Sequence, residues 1–528
     1  MQCFEMKKTI GVGVLALTSV AGSAIAGGPF PPGPGPWGPD ITICQLYGLA
    51  VFGRTGSYPN GQLGLAAATT SWNIGTVNSR WFDQPNPEHP FIALNMYRKS
   101  TWQVGGVPVD RLEQIGMNWP KHAFFALSNT QCGPHPYLGG NCRSTNGTFL
   151  GVGCTDTYGA GLNANQGELG PRFEINPWTS GWSPTGSRFY NAATSNVNKR
   201  LQVREQDLIA PPGVTYNLYY EAYYNAIDDV DAINSHGWKP ISSYAPTNTA
   251  NPANTGWTFT STGSTSDENS GMALDAWTGA RQTLVAQQFP IVEQWSAANA
   301  PRPGEPAPGP ASPDGRAVIV SKVFNLGNGQ YQYEYAVYNI DMDRQIGEFK
   351  IPVPEGVTVT NIGFSGVRHY DEPFAWSTVS GGVRTNGKAI DNSPWTGVRN
   401  STDVTWATAP VGDAAPSNPI RWSMMFNFWF TADRPPVDGL ATLGLFRTGT
   451  PGTVSGLTDT PSAPPPPPHC MGDADGDFDR DFADISEILG RFGATYVPGS
   501  AGRGDADNDG DVDFGDVTAT LGAWQVPC

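Results

Sequence analysis

The segment 470–528 contains one acidic spacing twice, and this duplication constrains the fold more than any other feature of the chain. In each copy, aspartates occupy positions 1, 3, 5, 7, 9 and 12 of a twelve-residue loop, the spacing at which calcium loops place their ligands. The first copy is Asp473, Asp475, Asp477, Asp479, Asp481 and Asp484, and the second is Asp505, Asp507, Asp509, Asp511, Asp513 and Asp516. Ca²⁺ takes six to eight oxygens at about 2.3–2.6 Å, and such a loop supplies them from side chains and from the main-chain carbonyl at position 7. The spacing therefore predicts two calcium sites, because without a cation so many carboxylates would repel one another.

An apolar pattern follows each loop at the same offset. The matching positions are Ile485, Ile488, Leu489 and Phe492 after the first loop, and Val517, Thr520, Leu521 and Trp524 after the second. Spacings of three and four residues place these side chains on one face of a helix. Each copy thus predicts a loop followed by one helix, and we expect the two helices to bury these faces against each other. The alternative, an acidic disordered tail, does not account for the repeated apolar positions.

This duplicated loop-and-helix unit resembles the dockerin modules of secreted bacterial systems that degrade glycans. The resemblance covers about a tenth of the chain and implies calcium as cofactor and an extracellular protein partner. The second loop has Gly510 at the sharp turn of position 6, but the first has Phe478 there, which predicts strain and a weaker first site. Cellulosomal dockerins often carry a Ser/Thr pair at positions 10 and 11 for their cohesin partner, whereas this chain has Phe482–Ala483 and Phe514–Gly515. The resemblance therefore implies calcium binding more directly than cohesin binding.

The negative charge of the chain is concentrated in this tail. Residues 470–528 hold thirteen acidic residues and three arginines, a net charge of −10 out of −16 for the whole chain. The rest is close to neutral and has no basic patch, so we expect no nucleic-acid partner. Only 15% of all residues are charged, while Gly, Pro and aromatic residues are abundant, a composition typical of turn-rich β structure.

The N-terminus has the features of a secretory signal peptide. Lys7 and Lys8 precede an apolar run from Ile10 to Val20, and Ala24–Ala26 form a small-residue cleavage site. This predicts a signal peptide over residues 1–26 and a secreted protein, at the cell surface or outside the cell. The apolar run is too short to span a membrane, and we expect no span elsewhere.

The cysteines fit an exported protein. Removal of the signal peptide removes Cys3 and leaves an even number, for which disulfides are expected outside the cell. Cys44, Cys132, Cys142 and Cys154 would form two bonds in one of three connectivities, and Cys470 would pair with Cys528 across the tail. Zinc is the alternative for the first four, but no CxxC pair occurs among them.

The rest of the chain predicts a mainly β protein: a β-rich N-terminal domain, an immunoglobulin-like β-sandwich and the small α-helical module at the C-terminus. A strand is predicted over Val214–Tyr224, and the only helix candidate lies near Gln282–Asn299. In the sandwich, Arg316–Leu326 and Gln330–Asn339 alternate around Gly327-Asn328-Gly329, which predicts a hairpin. The predicted organisation is a Gly/Pro-rich lead at 27–39, a disulfide-bonded β domain at 40–300, a Pro-rich linker at 301–315, the sandwich at 316–450, a second Pro-rich linker at 451–469 and the calcium module at 470–528.

The catalytic motifs GxSxG and HExxH and the phosphate-binding motif GxxxxGK[ST] do not occur in the sequence. His122, Asp156, Arg172 and Glu174 are candidates to line a cleft, although a disulfide-stapled structural loop is the favoured interpretation of this region. This region, together with the predicted hairpin and the strand Trp422–Phe430, resembles a family of uncharacterised secreted bacterial proteins, which implies no activity.

Two further groups of residues in the body could take part in chemistry. Asp228, Asp229 and Asp231, near His236, favour a calcium-bound or solvated loop over an acid/base pair, because adjacent aspartates point in different directions. The tryptophans could stack on sugar rings, but such residues more often fill a sandwich core. They are Trp72, Trp81, Trp102, Trp119, Trp178 and Trp182.

Taken together, these features favour a secreted calcium-binding protein whose C-terminal module mediates extracellular attachment or assembly, with a body that is not catalytic. The first alternative is a secreted polysaccharide hydrolase or lyase with a dockerin-like appendage. The second is a glycan-binding protein, with a polysaccharide as ligand. An enzyme should bring two distant carboxylates together in a groove lined by tryptophan, whereas a glycan-binding protein should present a flat aromatic strip.

Overall fold

The computed structural model describes residues 38–83, 86, 89–122, 125–177, 182, 194–261, 263, 268–286, 315–368, 392–410, 417–447, 449–464, 470–477, 479–496 and 503–524. The chain divides into two compact units, Met1–Ser462 and Ala463–Cys528. In the described residues the protein is mainly β, as predicted, and no helix is long and apolar enough to cross a membrane.

The strands of the first unit form several antiparallel sheets. In chain order they are β1 Ile41–Leu46, β2 Ala50–Thr55, β3 Gln62–Ala66, β4 Thr69–Asn73, β5 Ser79–Arg80, β6 Phe91–Val104, β7 Val107–Met117, β8 Lys121–His122, β9 Phe149–Leu150, β10 Thr155–Tyr158, β11 Leu201–Arg204, β12 Thr215–Asn225, β13 His236–Thr247, β14 Gly256–Ser261, β15 Asn269–Ser270, β16 Arg281–Ala286, β17 Arg316–Gly327, β18 Gln330–Asn339, β19 Ile346–Pro352, β20 Val359–Gly366, β21 Thr396–Arg399, β22 Asp403–Ala407, β23 Met424–Ala432, β24 Pro436–Leu445 and β25 Thr453–Pro461. One short helix, α1, spans Ala160–Asn163.

Four of these sheets are stacked as layers. The first layer, in the order β1-β4-β10, packs against a ten-stranded sheet that runs from β14 to β2. The other face of that large sheet packs against the sheet β16-β17-β18-β23-β20. The last layer, β21-β22-β19-β24-β25, packs against this sheet and completes the sandwich. In this core the ring centroids of Phe349 and Phe428 are 4.8 Å apart.

The inner layers bury both of their faces, which follows from side chains alternating between the two sides of a strand. Along β12, Leu218 and Tyr220 face the first layer, while Tyr219 and Tyr223 contact the core shared with the sandwich. The predicted strand Val214–Tyr224 is thus confirmed, and the face that alternation alone would assign to solvent is covered by a further sheet.

The hairpin and the sandwich are confirmed. Strands β17 and β18 pair as predicted, and Asn328 and Gly329 both have positive φ, 52° and 73°. A two-residue turn of this kind matches the twist of the paired strands. The sandwich also includes two strands from outside the predicted range 316–450. Strand β16 pairs with β17, and β25 pairs with β24.

The helix candidate near Gln282–Asn299 is wrong for its first residues, because Gln282–Ala286 belong to β16 and pair with β17. Residues 287–299 lie outside the described part of the chain. The disulfides are Cys44–Cys132 and Cys142–Cys154, which selects one of the three predicted connectivities. Cys470 is also disulfide-bonded; its predicted partner, Cys528, is not among the described residues.

The second unit contains two helices, α2 Phe482–Arg491 and α3 Phe514–Gly522, each of which begins inside an acidic loop. The N-cap of α2 is Asp481, whose Oδ1 accepts from the amide of Ala483, while Asp484 accepts from the amide of Asp481. Asp513 and Asp516 repeat this capping box at α3. The carboxylates of positions 9 and 12 therefore also start the helices.

The duplication is visible in the hydrogen bonds that join the loops. Gly472 donates to the carbonyl of Ala506 at 2.7 Å, and Gly504 donates to the carbonyl of Ala474 at 2.9 Å. Each of these residues is equivalent to its counterpart in the other copy, so the two bonds are related by the repeat. Ala474 and Ala506 then form the small core of the unit with Ile488 and Val512.

The prediction that the helices bury their apolar faces against each other is wrong for part of each face. Ile488 is fully buried and Val517 is half-buried, but Leu489 and Leu521 are 60% and 59% exposed. The buried contacts are made with the loops instead, because Ala474, Ala506 and Val512 all lie in the acidic segments.

Candidate calcium loops

The second loop brings three of its carboxylates together. One oxygen from each of Asp505, Asp507 and Asp509 lies within 4.8 Å of the other two. Oxygens bound to one Ca²⁺ at about 2.3–2.6 Å are at most about 5 Å apart, so this group has the dimensions of a calcium site. Positions 1, 3 and 5 are the carboxylate positions that the spacing predicts.

The remaining aspartates of the second loop have other contacts. Asp511 and Asp513 are exposed, and Asp513 caps α3. At position 7 the predicted ligand is the main-chain carbonyl, so exposure of the Asp511 side chain agrees with that role. The buried Asp516 accepts hydrogen bonds from the amides of Asp507 and Asp513, which holds the carboxylate of position 12 at the base of the loop.

The first loop contains two overlapping groups that share Asp484. One consists of Asp473, Asp475 and Asp484, and the other of Asp479, Asp481 and Asp484. Asp477 is outside both groups, and its Oδ1 accepts from the amide of Asp479 at 3.0 Å. Phe478, at which strain is predicted, lies outside the described part of the chain.

Backbone conformation explains how these loops can turn sharply enough to gather their side chains. In the second loop, Asn508 at position 4 has φ of 64° and Gly510 at position 6 has φ of 102°. Glycine adopts such angles readily, and asparagine tolerates them better than most residues. Gly476, at position 4 of the first loop, has φ of 82°. Gly476 and Asn508 at position 4 are a signal in the sequence for the same sharp turn, in addition to the glycine at position 6.

The buried oxygens of the second loop fit a hard cation. Asp505 is fully buried, and its Oδ2 accepts from the amide of Gly510 at 3.2 Å. Its Oδ1 is buried and accepts no hydrogen bond within the described chain. A buried ionised oxygen without a partner costs several kcal/mol, and Ca²⁺ bound at this oxygen would remove that cost. The donor set, carboxylates with a main-chain carbonyl, is also the one that calcium prefers.

The electrostatics of the loops agree with this fit. Burial raises the pKa of Asp505 above its ordinary value, and the nearby charge of Asp516 raises it further. The same two causes raise the pKa of Asp507. At the exposed Asp511 the largest cause of the raised pKa is the charge of Asp509. The same is true of the first loop, where burial raises the pKa of Asp475 and the charge of Asp477 raises it further.

These shifts predict how the stability of the calcium-free second unit depends on pH. A carboxyl whose folded pKa lies above its unfolded value of about 3.9 binds protons more readily in the folded unit. The stability from this source is complete below that value and is lost as the pH rises through the raised folded pKa values. In calcium-depleted buffer, calorimetry should therefore show the melting temperature of the second unit falling as the pH rises from about 4.

Two controls define that experiment. Replacing the fully buried Ile488 by alanine should lower the melting transition of the second unit alone, which identifies it in the scan. Saturating calcium should reverse the slope, because the metal binds the deprotonated carboxylates. A melting temperature that rises with pH in the absence of calcium would show that the carboxylates do not repel one another in the folded loops.

The candidate residues of the body are engaged in internal contacts. The carboxylate of Asp156 accepts from the amide of Leu127 and from the indole of Trp81. Arg172 is buried, and it donates to the carbonyls of Asn118, Leu94 and Ser423. The structure does not bring these two side chains together. Their internal hydrogen bonds agree with the disulfide-stapled structural loop that the sequence favours.

The other two candidates are also buried. Glu174 accepts from the indole of Trp182 at 3.2 Å, and the ring of His122 stacks on that of His89 with 5.2 Å between centroids. Burial lowers the pKa of His122 to about 4, so this side chain is neutral at physiological pH. These contacts join side chains of the interior.

The predicted tryptophans do not form a flat platform in the described structure. Trp81, Trp119 and Trp182 are buried, while Trp72 and Trp102 are partly exposed. Trp178 lies outside the described residues. Buried indoles cannot stack on a sugar, so three of the six predicted side chains are excluded from such a role.

No model of a known protein family matches this chain, and the sequence of no curated protein matches it either.

Proposed function

We propose that the second unit is a calcium-binding module in which each acidic loop holds one Ca²⁺. The single observation that carries this proposal is the group Asp505, Asp507 and Asp509, with the buried and unpartnered Oδ1 of Asp505 at position 1. The reciprocal hydrogen bonds of Gly472 and Gly504 support the pairing of two equivalent loops. When bound, the ion supplies charge neutralisation and cross-links the loop to the start of its helix.

We further propose that the protein is secreted and that calcium keeps this module folded outside the cell. The predicted signal peptide and the disulfides of the first unit support export. Extracellular calcium modules bind with dissociation constants of about 10⁻⁴–10⁻³ M. An ion that binds only the folded form stabilises it by mass action. The loops would therefore be occupied and the module folded in the extracellular medium.

The exposed apolar residues of the module support attachment to a protein partner. Phe482 and Phe514 are 72% and 73% exposed, and they occupy the same position, number 10, in the two loops. Leu489 and Leu521 are exposed about two turns further along each helix. Equivalent apolar groups repeated on one small unit are typical of an interaction surface. The partner would thus be held by apolar contacts, where cellulosomal dockerins often use hydroxyl groups.

The body is proposed to be non-catalytic. What supports this is that Asp156, Arg172 and Glu174 each satisfy internal donors or acceptors of the first unit. A screen of polysaccharides against the full chain, scored for binding and for release of reducing ends, should give neither. Release that disappears when one body carboxylate is substituted would replace this proposal with a polysaccharide-degrading enzyme, and binding without release would indicate a glycan-binding protein.

Attachment can be tested in cells that naturally produce the protein. The chain should be retained in the cell-surface fraction in calcium and released by a chelator. The double variant Phe482→Ser and Phe514→Ser should be released even in calcium, because it lacks the apolar contacts, yet it should bind as much calcium as the wild type. As a matched control, Leu138→Ser removes a 45% exposed apolar side chain from the first unit and should leave retention unchanged. Retention that neither the chelator nor the double variant alters would contradict attachment through this module.

A further inference from the structure

Each helix of the second unit exposes a phenylalanine, a hydroxyl residue and a leucine at equivalent positions of the repeat. Spacings of four and then three residues place these side chains on one side of a helix. We call the six exposed residues the docking face: Phe482, Ser486 and Leu489 on α2, and Phe514, Thr518 and Leu521 on α3. The same side-chain types are thus exposed in both repeats, and both helices are open to a partner on this side.

One aromatic contact joins the two halves of the docking face. The ring centroid of Phe492, at the C-terminal end of α2, lies 5.2 Å from that of Phe514, at the start of α3. Phe492 is itself 47% exposed, and it follows Leu489 by three residues. The apolar residues of the two helices therefore form one surface across the repeat. Aromatic side chains are enriched at the core of protein interfaces.

The polar groups beside these apolar residues offer hydrogen-bond acceptors. The hydroxyls of Ser486 and Thr518 donate to the carbonyls of Phe482 and Phe514, both at 2.8 Å. Since each hydroxyl has one proton, only its oxygen remains for a partner. The exposed carboxylates of position 9 directly precede the phenylalanines of position 10 and are acceptors as well. A partner of this face therefore has to supply hydrogen-bond donors.

The charge around the docking face is negative. Residues 470–528 carry a net charge of −10, and two Ca²⁺ at +2 each would leave −6. The three arginines of the unit each donate to an acceptor inside it. They are Arg480, Arg491 and Arg503. Bound calcium would therefore not cancel the negative charge that a partner meets.

This charge distinguishes between the kinds of partner that an exposed apolar face could take. A second copy of the unit would bring a second negative face, and like charges oppose each other across an interface. Helices that lie on lipid surfaces carry Lys and Arg on their polar face, the opposite of the charge found here. A protein surface with Lys or Arg attracts the negative unit and supplies the donors that its acceptors need.

We propose, on the basis of the attachment function proposed above, that the second unit binds a cationic protein surface with apolar pockets for Phe482 and Phe514. The two phenylalanines would be the apolar anchors. Lys or Arg side chains of the partner would pair with the exposed carboxylates at positions 7 and 9 and with the hydroxyl oxygens of Ser486 and Thr518. This pairing would neutralise the charge that bound calcium leaves.

The sign of the partner's charge can be tested at two positions that are not calcium ligands. One variant carries Ser486→Lys and Thr518→Lys, and its matched control carries Ser486→Glu and Thr518→Glu. Lys and Glu are both long and both favour helices, so the two variants differ mainly in charge. In cells that naturally produce the protein, in saturating calcium, the Lys variant of the full chain should lose most of its retention in the cell-surface fraction. The Glu variant should keep wild-type retention or exceed it.

Other results would overturn the cationic partner. Equal retention of the Lys and Glu variants, whether high or low, would show that the docking face has no preference for charge. Stronger retention of the Lys variant would indicate an anionic partner. Calcium-dependent binding of the full chain to phosphatidylcholine vesicles, or its self-association in sedimentation, would assign the face to lipid or to a second copy if the variant Phe482→Ser with Phe514→Ser abolishes it.

Failure of this proposal differs from failure of attachment itself. If chelation and the phenylalanine variant release the chain while the Lys and Glu variants are retained alike, the module attaches to a partner that is not cationic. If neither chelation nor the phenylalanine variant alters retention, attachment through the module is wrong, and the cationic partner is wrong with it.

Discussion

Replacing Asp505 by asparagine should abolish calcium binding at the second loop and remove the stability that the ion gives to the second unit. Asp505 is fully buried, and its unpartnered Oδ1 belongs to the group formed with Asp507 and Asp509. Loss of a residue that only supports a ligand costs about 10–100-fold in metal affinity, so loss of a ligand should cost more. At free calcium 100 times the dissociation constant, an occupied site contributes about 2.7 kcal/mol, which the variant should lose.

The matched control is Asp511→Asn in the same loop. This change removes the same charge, but the side chain of Asp511 is exposed, and position 7 binds through its carbonyl. Calorimetric titration of the full chain should show nearly wild-type affinity for Asp511→Asn and loss of one binding event for Asp505→Asn. Equal effects of the two changes would indicate that the loop attracts calcium by its net charge only, without a defined site.

Replacing Arg111 by alanine should destabilise the first unit by about 3–5 kcal/mol, the usual cost of leaving a buried charge without its partner. Arg111, on β7, donates to both oxygens of Glu334, on β18, at 2.6 and 2.9 Å. Glu334 is fully buried, and the guanidinium also lies 3.5 Å from the ring centroid of Trp429. The change would leave a carboxylate buried between the large sheet and the sandwich. Chemical denaturation of the full chain, followed at the transition of the first unit, measures the effect.

Two further variants separate the loss of the ion pair from general loss of packing. Arg281→Ala breaks an ion pair with Asp438, which is 73% exposed, and should cost no more than about 1 kcal/mol. Glu334→Gln added to Arg111→Ala should restore part of the stability, since it removes the unpaired charge. If Arg111→Ala costs no more than Arg281→Ala, the buried pair does not hold the two layers together.

The parts of the structure that the sequence predicted well are those governed by local chemistry. The turn Asn328–Gly329 requires positive φ, and only a few residues supply it, so the hairpin could be placed from the sequence. The grouping of Asp505, Asp507 and Asp509 also depends on signals within twelve residues, namely the aspartate spacing and Gly510 at position 6. The capping aspartate at the start of each helix is a local signal too, and one that sequence reasoning missed.

Contacts between strands far apart in the chain could not be predicted from such local signals. Glu334 and Asn427 occupy positions that alternate with buried aromatic residues, so each strand considered alone places them in solvent. In the structure Glu334 pairs with Arg111, and Asn427 donates to the carbonyl of Leu112 in the large sheet. The identity of the covering layer, and not the strand itself, decides whether such a residue is exposed.

The same limit applies to the helix faces and to the junction of the β12–β13 loop with β1. Leu489 fits an apolar stripe, yet it is exposed because the core of so small a unit is filled by loop residues such as Val512. The sequence predicts a loop at Asp229 but not the hydrogen bond that this side chain accepts from the amide of Ile41. That bond depends on the β12–β13 loop reaching the start of β1, a contact between residues far apart in the chain.

Hydrogen exchange of the full chain, with calcium and after its removal, tests most directly whether calcium folds the second unit. With calcium, the amides of α2 and α3 should be strongly protected, since the ion would neutralise the carboxylates of each loop, two of which cap the helix that follows. After chelation, protection should fall in residues 470–524 while strands such as β18 and β23 keep theirs. Equal protection of α2 and α3 in both conditions would contradict the view that the duplicated aspartates form metal sites on which this unit depends.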